Sequence, residues 1–338
     1  MVAEEIITPV QLCDRKGKLN HESVGWSRTP LTSCNVAGSF LRKKKWNYWC
    51  FTSDEALFSV TISNLDYASA VFVYMLDLET LNFKEQTIVM PFSRGTIMPD
   101  NVWESVYFEK NGVRIEFIEM EDATKIYVHW ANFHEGKPLE AHLLVDRVPD
   151  FDSLNVVIPW SSKRFQYTSK QLALPVRGEV KWAARRYSFQ PINAFATLDF
   201  GRGKWPYHST WNWGAASGFI GDTRIGINLG GGWTEGTGQT ENGMIVDGRL
   251  HKVSEEIDWV YDRHNYMKPW VIQTPQSRRV KLLFEPFYER VATKNAGVVQ
   301  SNMRQLIGNY SGSVQLHEGD EIEFTNLLGW TEAHEAKW

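Results

Sequence analysis

Short runs in which apolar and polar residues alternate fill this chain. Phe58, Val60 and Ile62 alternate with Ser59, Thr61 and Ser63, the period-two signature of a strand with one buried face. Ala70-Val71-Phe72-Val73-Tyr74-Met75-Leu76 is short, β-prone and bounded by Ser69 and Asp77. Val106 and Phe108 lead to Asn111-Gly112, after which Val113, Ile115 and Phe117 alternate with Arg114 and Glu116. Such a pair predicts a tight hairpin, because both turn positions need positive φ. Ile126, Val128 and Trp130 form a further alternating run. Gly221-Asp222, Asp247-Gly248 and Gly319-Asp320 each separate two β-prone runs and predict three more hairpins. No long stripe with helical spacing and caps is present. Many short strands joined by glycine turns predict an all-β sandwich or barrel.

Between Val148 and Lys181 the alternation weakens, with Pro149, Pro159, Pro175 and the polar run Ser161-Ser162-Lys163-Arg164. This stretch is read as the junction of two β-barrel domains, residues 1–160 and 161–338, each of a size to close one barrel. The length of 338 residues and 22% charged residues fit a folded protein with a large core. The net charge of −4 offers no basic excess for nucleic acid or an anionic membrane surface. Lys43-Lys44-Lys45, before an aromatic run, reads as a solvated strand start. Cys13, Cys34 and Cys50 are odd in number and contain no Cys-x-x-Cys pair, which suits a reducing compartment. The acidic N-terminus resembles no signal peptide, and no apolar run reaches membrane-spanning length. A cytoplasmic location is expected.

Fifteen tryptophans change the picture. Four of them, with 12 of the 25 glycines, fall in the 45 residues from Asp199 to Gly243. The same stretch holds Asp199, Arg202, His208, Glu235 and Glu241. Glycine permits close backbone approach, and together with tryptophan and ionisable groups it can shape a polar pocket. If Tyr207 to Gly214 is a strand, Trp211 and Trp213 share one face and His208, Thr210 and Asn212 the other. A carboxyl group among tryptophans loses solvation and holds its proton to higher pH. Glu241 and Asp199 are therefore the candidate acids, with His208 as a third catalytic candidate. Arg202, Tyr207, Trp211, Asn212, Trp213, Asn228, Trp233 and Glu235 are the candidate ligand-binding residues. Gly230-Gly231-Gly232 lacks the Gly-Lys-Ser/Thr ending of a phosphate loop and reads as a bulged strand end. His129, His134 and His142 match no compact metal spacing, so neither metal nor cofactor is expected.

Several runs carry a resemblance: Lys45-Trp46-Asn47-Tyr48-Trp49, Ser59 to Tyr67, Leu174-Pro175-Val176-Arg177-Gly178, Asp199 to Tyr207, and Trp211-Asn212-Trp213-Gly214. Over nearly its whole length the chain resembles the bacterial domain-of-unknown-function family 2804. More distantly it is similar to the carotenoid 1,2-hydratase superfamily, with its AttH-like and lipocalin-like pericyclase members. That resemblance implies two lipocalin-like antiparallel β-barrels packed together, with ligand held in or between them. Asn212, Trp213 and Gly214 match the end of the hydratase Asp-His-Asn-Trp-Gly-like motif. Trp211 stands in place of its histidine and Thr210 in place of its acid, so an acid must come from elsewhere.

Three functions fit these residues. The first is a cofactor-independent acid/base enzyme (hydratase, isomerase, cyclase or lyase) on a small organic molecule in a tryptophan-rich pocket. The second is a non-catalytic carrier of an apolar or amphipathic ligand. The third is a glycoside-cleaving enzyme with a carboxylate pair. In each the partner is a small molecule, partly apolar or a sugar. The cavity discriminates: an enzyme should bury an acid against tryptophan, and a carrier should show an apolar cavity without converging ionisable groups.

Overall fold

A computed structural model describes residues 4–38, 40–296, 299–317 and 319–338. The chain is all-β, and among these residues the helical structure is a single 3-10 turn at His21–Ser23. No helix in the described residues is long and apolar enough to cross a membrane. Each expected hairpin is present. Val106–Lys110 pairs with Val113–Glu119, His208–Ile220 with Thr223–Gly231, Asn242–Val246 with Arg249–Val253, and Val299–Gln315 with Glu321–Lys337.

The strands form two large curled antiparallel sheets. The first has 14 strands and runs from Phe83–Pro91 through Lys44–Thr52, Phe195–Lys204 and Arg164–Trp182 to Thr96–Ile97. The second has nine, with His208–Ile220, Glu321–Lys337, Val299–Gln315 and Val280–Ala296 side by side near its middle. Sheet membership changes between Lys204 and His208, well beyond the junction expected near residue 160. The weakly patterned stretch is instead a hairpin of Leu154–Ser161 and the 19-residue strand Arg164–Trp182. Packing on both faces removes the alternation that marks a half-exposed strand. Lys44, expected in solvent, is also buried, with Nζ donating to the Leu65 carbonyl and lying 4.5 Å from the Tyr67 ring centroid.

Each sheet encloses its own apolar core. Phe51, Phe58, Phe108 and Phe200 belong to the first, and Trp270, Phe284 and Tyr310 to the second. The outer faces of the two sheets meet along a seam. Tyr48, Cys50, Leu57 and Tyr74 of the first pack there on Trp213, Ala215, Ile307 and Trp330 of the second. Beside them, Leu154, Leu172 and Trp205 pack on Trp233, Ile245 and Leu250. A bulge at Leu172 and Ala173 ties the sheets together. The Ala173 amide donates to Ser217 Oγ at 3.1 Å, and Arg224 Nη1 donates to the Ala173 carbonyl at 3.2 Å.

Candidate functional site

Register builds the site before side chains do. In the first sheet Lys170 lies opposite Asp199, and Asp199 opposite Tyr48, so three neighbouring strands set these residues in one row. In the second sheet Gly230, Trp213, Glu332, Gln305 and Arg290 are successive partners across five strands. The two rows face each other across the seam. Glu241 reaches into the space from just before the strand Asn242–Val246.

Lys170 is the hinge of the cluster. Its ammonium lies 2.9 Å from Asp199 Oδ1 and 3.0 Å from Glu241 Oε2, joining a carboxylate of each sheet. It also sits 4.4 Å from the Trp213 ring centroid, a cation on an aromatic face. Glu241 is 1% exposed. Its Oε1 accepts from Trp233 Nε1 at 2.8 Å, while Oε2 has the ion pair with Lys170 and no well-aligned hydrogen bond. Gly230 is where the carboxylate needs room, because a Cβ there would lie 2.0 Å from Glu241 Oε1. Trp213 is fixed by donating to Asn228 Oδ1 at 2.8 Å, and Asn228 donates to the Glu241 carbonyl at 2.6 Å. Thr168 Oγ1 donates to Asp199 Oδ1 at 3.1 Å.

The other half of the cluster is a second buried acid. Glu332 Oε1 accepts from Gln305 Nε2 at 2.9 Å, and Gln305 Oε1 accepts from Arg290 Nη1 at 3.4 Å. Arg290 is itself held by Glu85 through two bonds of 2.9 and 2.8 Å. The Tyr48 hydroxyl accepts from Gln305 Nε2 at 3.4 Å and shares a 2.8 Å bond with the Tyr74 hydroxyl.

Charge counting then fixes the chemistry. Arg290 is matched by Glu85, and Lys252, whose charge Glu241 supports, is lowered by burial to about 7, so Lys170 is the ammonium ion-paired with Asp199 and Glu241, with Glu332 beyond them. Three ionised carboxylates cannot share one ammonium in a dry seam without a large electrostatic cost. Burial, reinforced by the Asp199 charge, pushes Glu332 up to about 7 against the pull of Arg290, Lys170 and Gln305. Burial also raises Glu241, with Asp199 adding and Lys170 opposing. For Lys170, burial favours the neutral amine, but the flanking carboxylates outweigh it and its pKa is raised. The cluster therefore stores a proton near neutral pH while keeping a fixed cation.

The expected site residues divide. Glu241, Asp199, Trp213, Asn228 and Trp233 come together here. Trp211 lies further along the seam, with its ring 4.0 Å from that of His334. The other five lie elsewhere. Arg202 is buried on the opposite face of its strand, because successive residues of a strand point to opposite sides. Its guanidinium donates to the carbonyls of Pro99, Trp46 and Gly201 and to Asn47 Oδ1. His208 pairs with Glu335 at 2.9 Å, and both are about half exposed at the sheet end. Tyr207 is 48% exposed and Glu235 is exposed on a turn. Asn212, opposite in parity to Trp213, donates to the Tyr261 hydroxyl and to the Glu332 carbonyl.

Sequence reasoning missed Lys170, Glu332, Tyr48, Gln305 and Arg290. The usable signal was parity: Trp330 and Glu332 share a face, as do Trp46 and Tyr48.

The profile of the family described as "Domain of unknown function (DUF2804)" matches residues 3–338. A comparison with curated proteins gives no match. Among solved structures the chain is distantly similar to kievitone hydratase from Nectria haematococca, at 9% identity and TM-score 0.44, covering 88% of this chain and 90% of that one. It is also similar to CghA with Sch210972, at 10% identity and TM-score 0.43, covering 89% and 90%. An AttH-type protein from Nitrosomonas europaea matches at 11% identity and TM-score 0.44, covering 88% and 93%.

Proposed function

We propose that this chain, which belongs to the DUF2804 family, is a proton-transfer enzyme whose acid and base are its own seam carboxylates, acting on a small organic molecule. The supporting observation is the buried Lys170 held at 2.9 and 3.0 Å by carboxylates of two different sheets, beneath Trp213. Glu332, pushed up to about 7 by burial, is the donor to an unsaturated carbon or carbonyl oxygen of the substrate. The positive charge that develops is stabilised by the ring of Trp330, packed 5.6 Å from Trp213, whose own face Lys170 occupies. Asp199 or Glu241, each ion-paired with Lys170, accepts the proton that leaves a neighbouring carbon or an attacking water. Hydration, isomerisation and cyclisation share this economy of one proton in and one proton out.

Glycoside cleavage fits less well. Asp199 and Glu241 lie on either side of a single ammonium, so Lys170 fills the space a glycosidic oxygen would need.

The test is deuterium transfer. Purified protein is incubated in D2O with a small-molecule extract of its host, and mass changes are followed by chromatography and mass spectrometry. A compound that gains carbon-bound deuterium with wild type, but not with Glu332→Gln or Glu241→Gln, is expected. Identical profiles for wild type, both variants and heat-inactivated protein would remove the proposal.

A further inference from the structure

The two oxygens of Glu332 do not meet equivalent surroundings. Strand register sets Arg290, Gln305 and Glu332 as successive partners in the second sheet, and in the first sheet Glu85 lies opposite Tyr74. Glu85 accepts from Arg290 Nε and Nη2 at 2.9 and 2.8 Å, and the guanidinium lies over the Tyr74 ring at 4.4 Å. Nη1 is then left for Gln305 Oε1 at 3.4 Å and Met303 Sδ at 3.8 Å. Arg290 and Gln305 are both buried, which keeps bulk water from competing for these bonds.

An arginine side chain only donates. The end of the Gln305 amide that meets it must be the carbonyl oxygen, so the NH2 group points the other way. There Nε2 donates to Glu332 Oε1 at 2.9 Å and to the Tyr48 hydroxyl at 3.4 Å. Tyr48, receiving a hydrogen from Gln305, gives its own to the Tyr74 hydroxyl at 2.8 Å. Nε2 has no lone pair for a proton, and a carboxylic acid accepts best at its carbonyl oxygen. Oε1 is therefore the carbonyl oxygen of Glu332, and its proton sits on Oε2. Were the amide turned over, its oxygen would accept that proton in a hydrogen bond and hold it. Its NH2 group would then face the guanidinium, donor against donor, and Arg290 forbids this.

We infer that Arg290 and Gln305 are positioning residues that turn the Glu332 proton to Oε2 and keep it out of a bond to Gln305, while Glu85 cancels the Arg290 charge so that the guanidinium does not draw the proton off. Its use in catalysis rests on the proton-transfer reading, whereas the direction of the hydrogen bonds does not. The other groups that face Glu332 are Asp199, Lys170, Tyr48 and Cys50. Burial pushes the Cys50 thiol up to about 12 and Tyr48 well above its ordinary value, so both stay neutral. His334, two residues along the same strand, is pushed down to about 3 by burial and also stays neutral. Titration near pH 7 therefore reports the seam carboxylates under two cations, Lys170 and Arg290.

The test is the infrared C=O stretch of protonated Glu332, isolated in the full chain at mildly acid pH as the band lost in Glu332→Gln. Gln305→Leu removes the donor to Oε1 and should move this band to higher frequency. Arg290→Gln frees the amide to turn and should split the band, whereas Arg290→Lys, again a pure donor, should keep it single. In wild type the band should fade as pH rises through about 7. That midpoint should move up by about one unit in Gln305→Leu, where the carboxylate has lost a hydrogen bond, and down in Glu85→Gln, where Arg290 acts unopposed. A merely structural role would leave both midpoints in place. The Glu85 side chain is 21% exposed, so its variant should melt close to wild type and decides the matter where Gln305→Leu does not fold. In the deuterium experiment labelling should follow the same midpoints. A band unmoved by Gln305→Leu, a wild-type midpoint in Glu85→Gln, or no band lost in Glu332→Gln would each overturn the inference. The expected band shifts with no labelling by wild type would keep the positioning and remove the proton-transfer reading.

Discussion

Lys170 and Arg202 are both buried cations on neighbouring paired strands, three positions apart, yet the protein treats them oppositely. Arg202 faces the interior of the first sheet and is solvated by carbonyl groups and one amide oxygen. None of these acceptors titrates, so the site has one charge state; burial lowers the guanidinium only to about 10, well above neutrality. Lys170 faces the seam and is solvated by carboxylates, which outnumber it and can exchange protons. A buried cation held by fixed dipoles is architecture, whereas one held by surplus acids is a store of protons.

Substitution to methionine should separate the two most strongly. Arg202→Met leaves the Pro99 carbonyl and Asn47 Oδ1 unpaired and should cost about 3–5 kcal/mol, equally at pH 5 and pH 8 in urea unfolding. Lys170→Met removes the ion-pair partner of Asp199 and Glu241 and should cost about 3–5 kcal/mol at pH 8. At pH 5 its cost should be smaller, because the stranded carboxylates can take up protons. Equal costs at both pH values for Lys170→Met would erase the distinction.

Glu332 sharpens it. Its folded pKa of about 7 lies above its ordinary value of 4.5. Its protonated form therefore contributes stability that is fully present below pH 4.5 and is lost as pH rises through 7. Glu332→Gln mimics the protonated form. It should match wild type near pH 4 and exceed it by up to about 3 kcal/mol at pH 8, from 1.36 kcal/mol per pKa unit. A smaller effect is expected of Gly230→Ala, whose Cβ displaces Glu241 from Trp233. A loss of about 1–3 kcal/mol with a shifted tryptophan fluorescence maximum would register it. Retained emission and stability would show that the carboxylate does not need the glycine.

The fold was legible because turns are local. Asn111-Gly112 and Asp247-Gly248 state their geometry in two residues, with φ of 54° and 75° at the first pair and 44° and 82° at the second. The site was half legible. Glu241 stood out because the glycines and tryptophan that accommodate it are close in sequence. Lys170 and Glu332 did not, since each joins the cluster through cross-strand register with residues far along the chain. Strand Arg164–Trp182 is also covered on both faces, so its buried lysine carries no periodic signal. Arg202 misled for the complementary reason: proximity in sequence to Asp199 says nothing about which face of the strand it takes.

The pairing of Lys44–Thr52 with Phe195–Lys204 has a consequence for synthesis. One edge of the earlier strand must wait for a partner about 150 residues away, on the order of 10–30 s at ribosomal speeds. Strand His208–Ile220 waits in turn for Glu321–Lys337. Until then the nascent chain carries unpaired edges, the feature that invites misassociation. Because Lys170, Tyr48 and Asp199 precede Glu241 and Glu332 in the chain, the acids of the second sheet arrive last. A ribosome-bound or truncated chain therefore holds the lysine without two of the three carboxylates that surround it, and the complete cluster is a direct reporter that biosynthesis of the fold has finished.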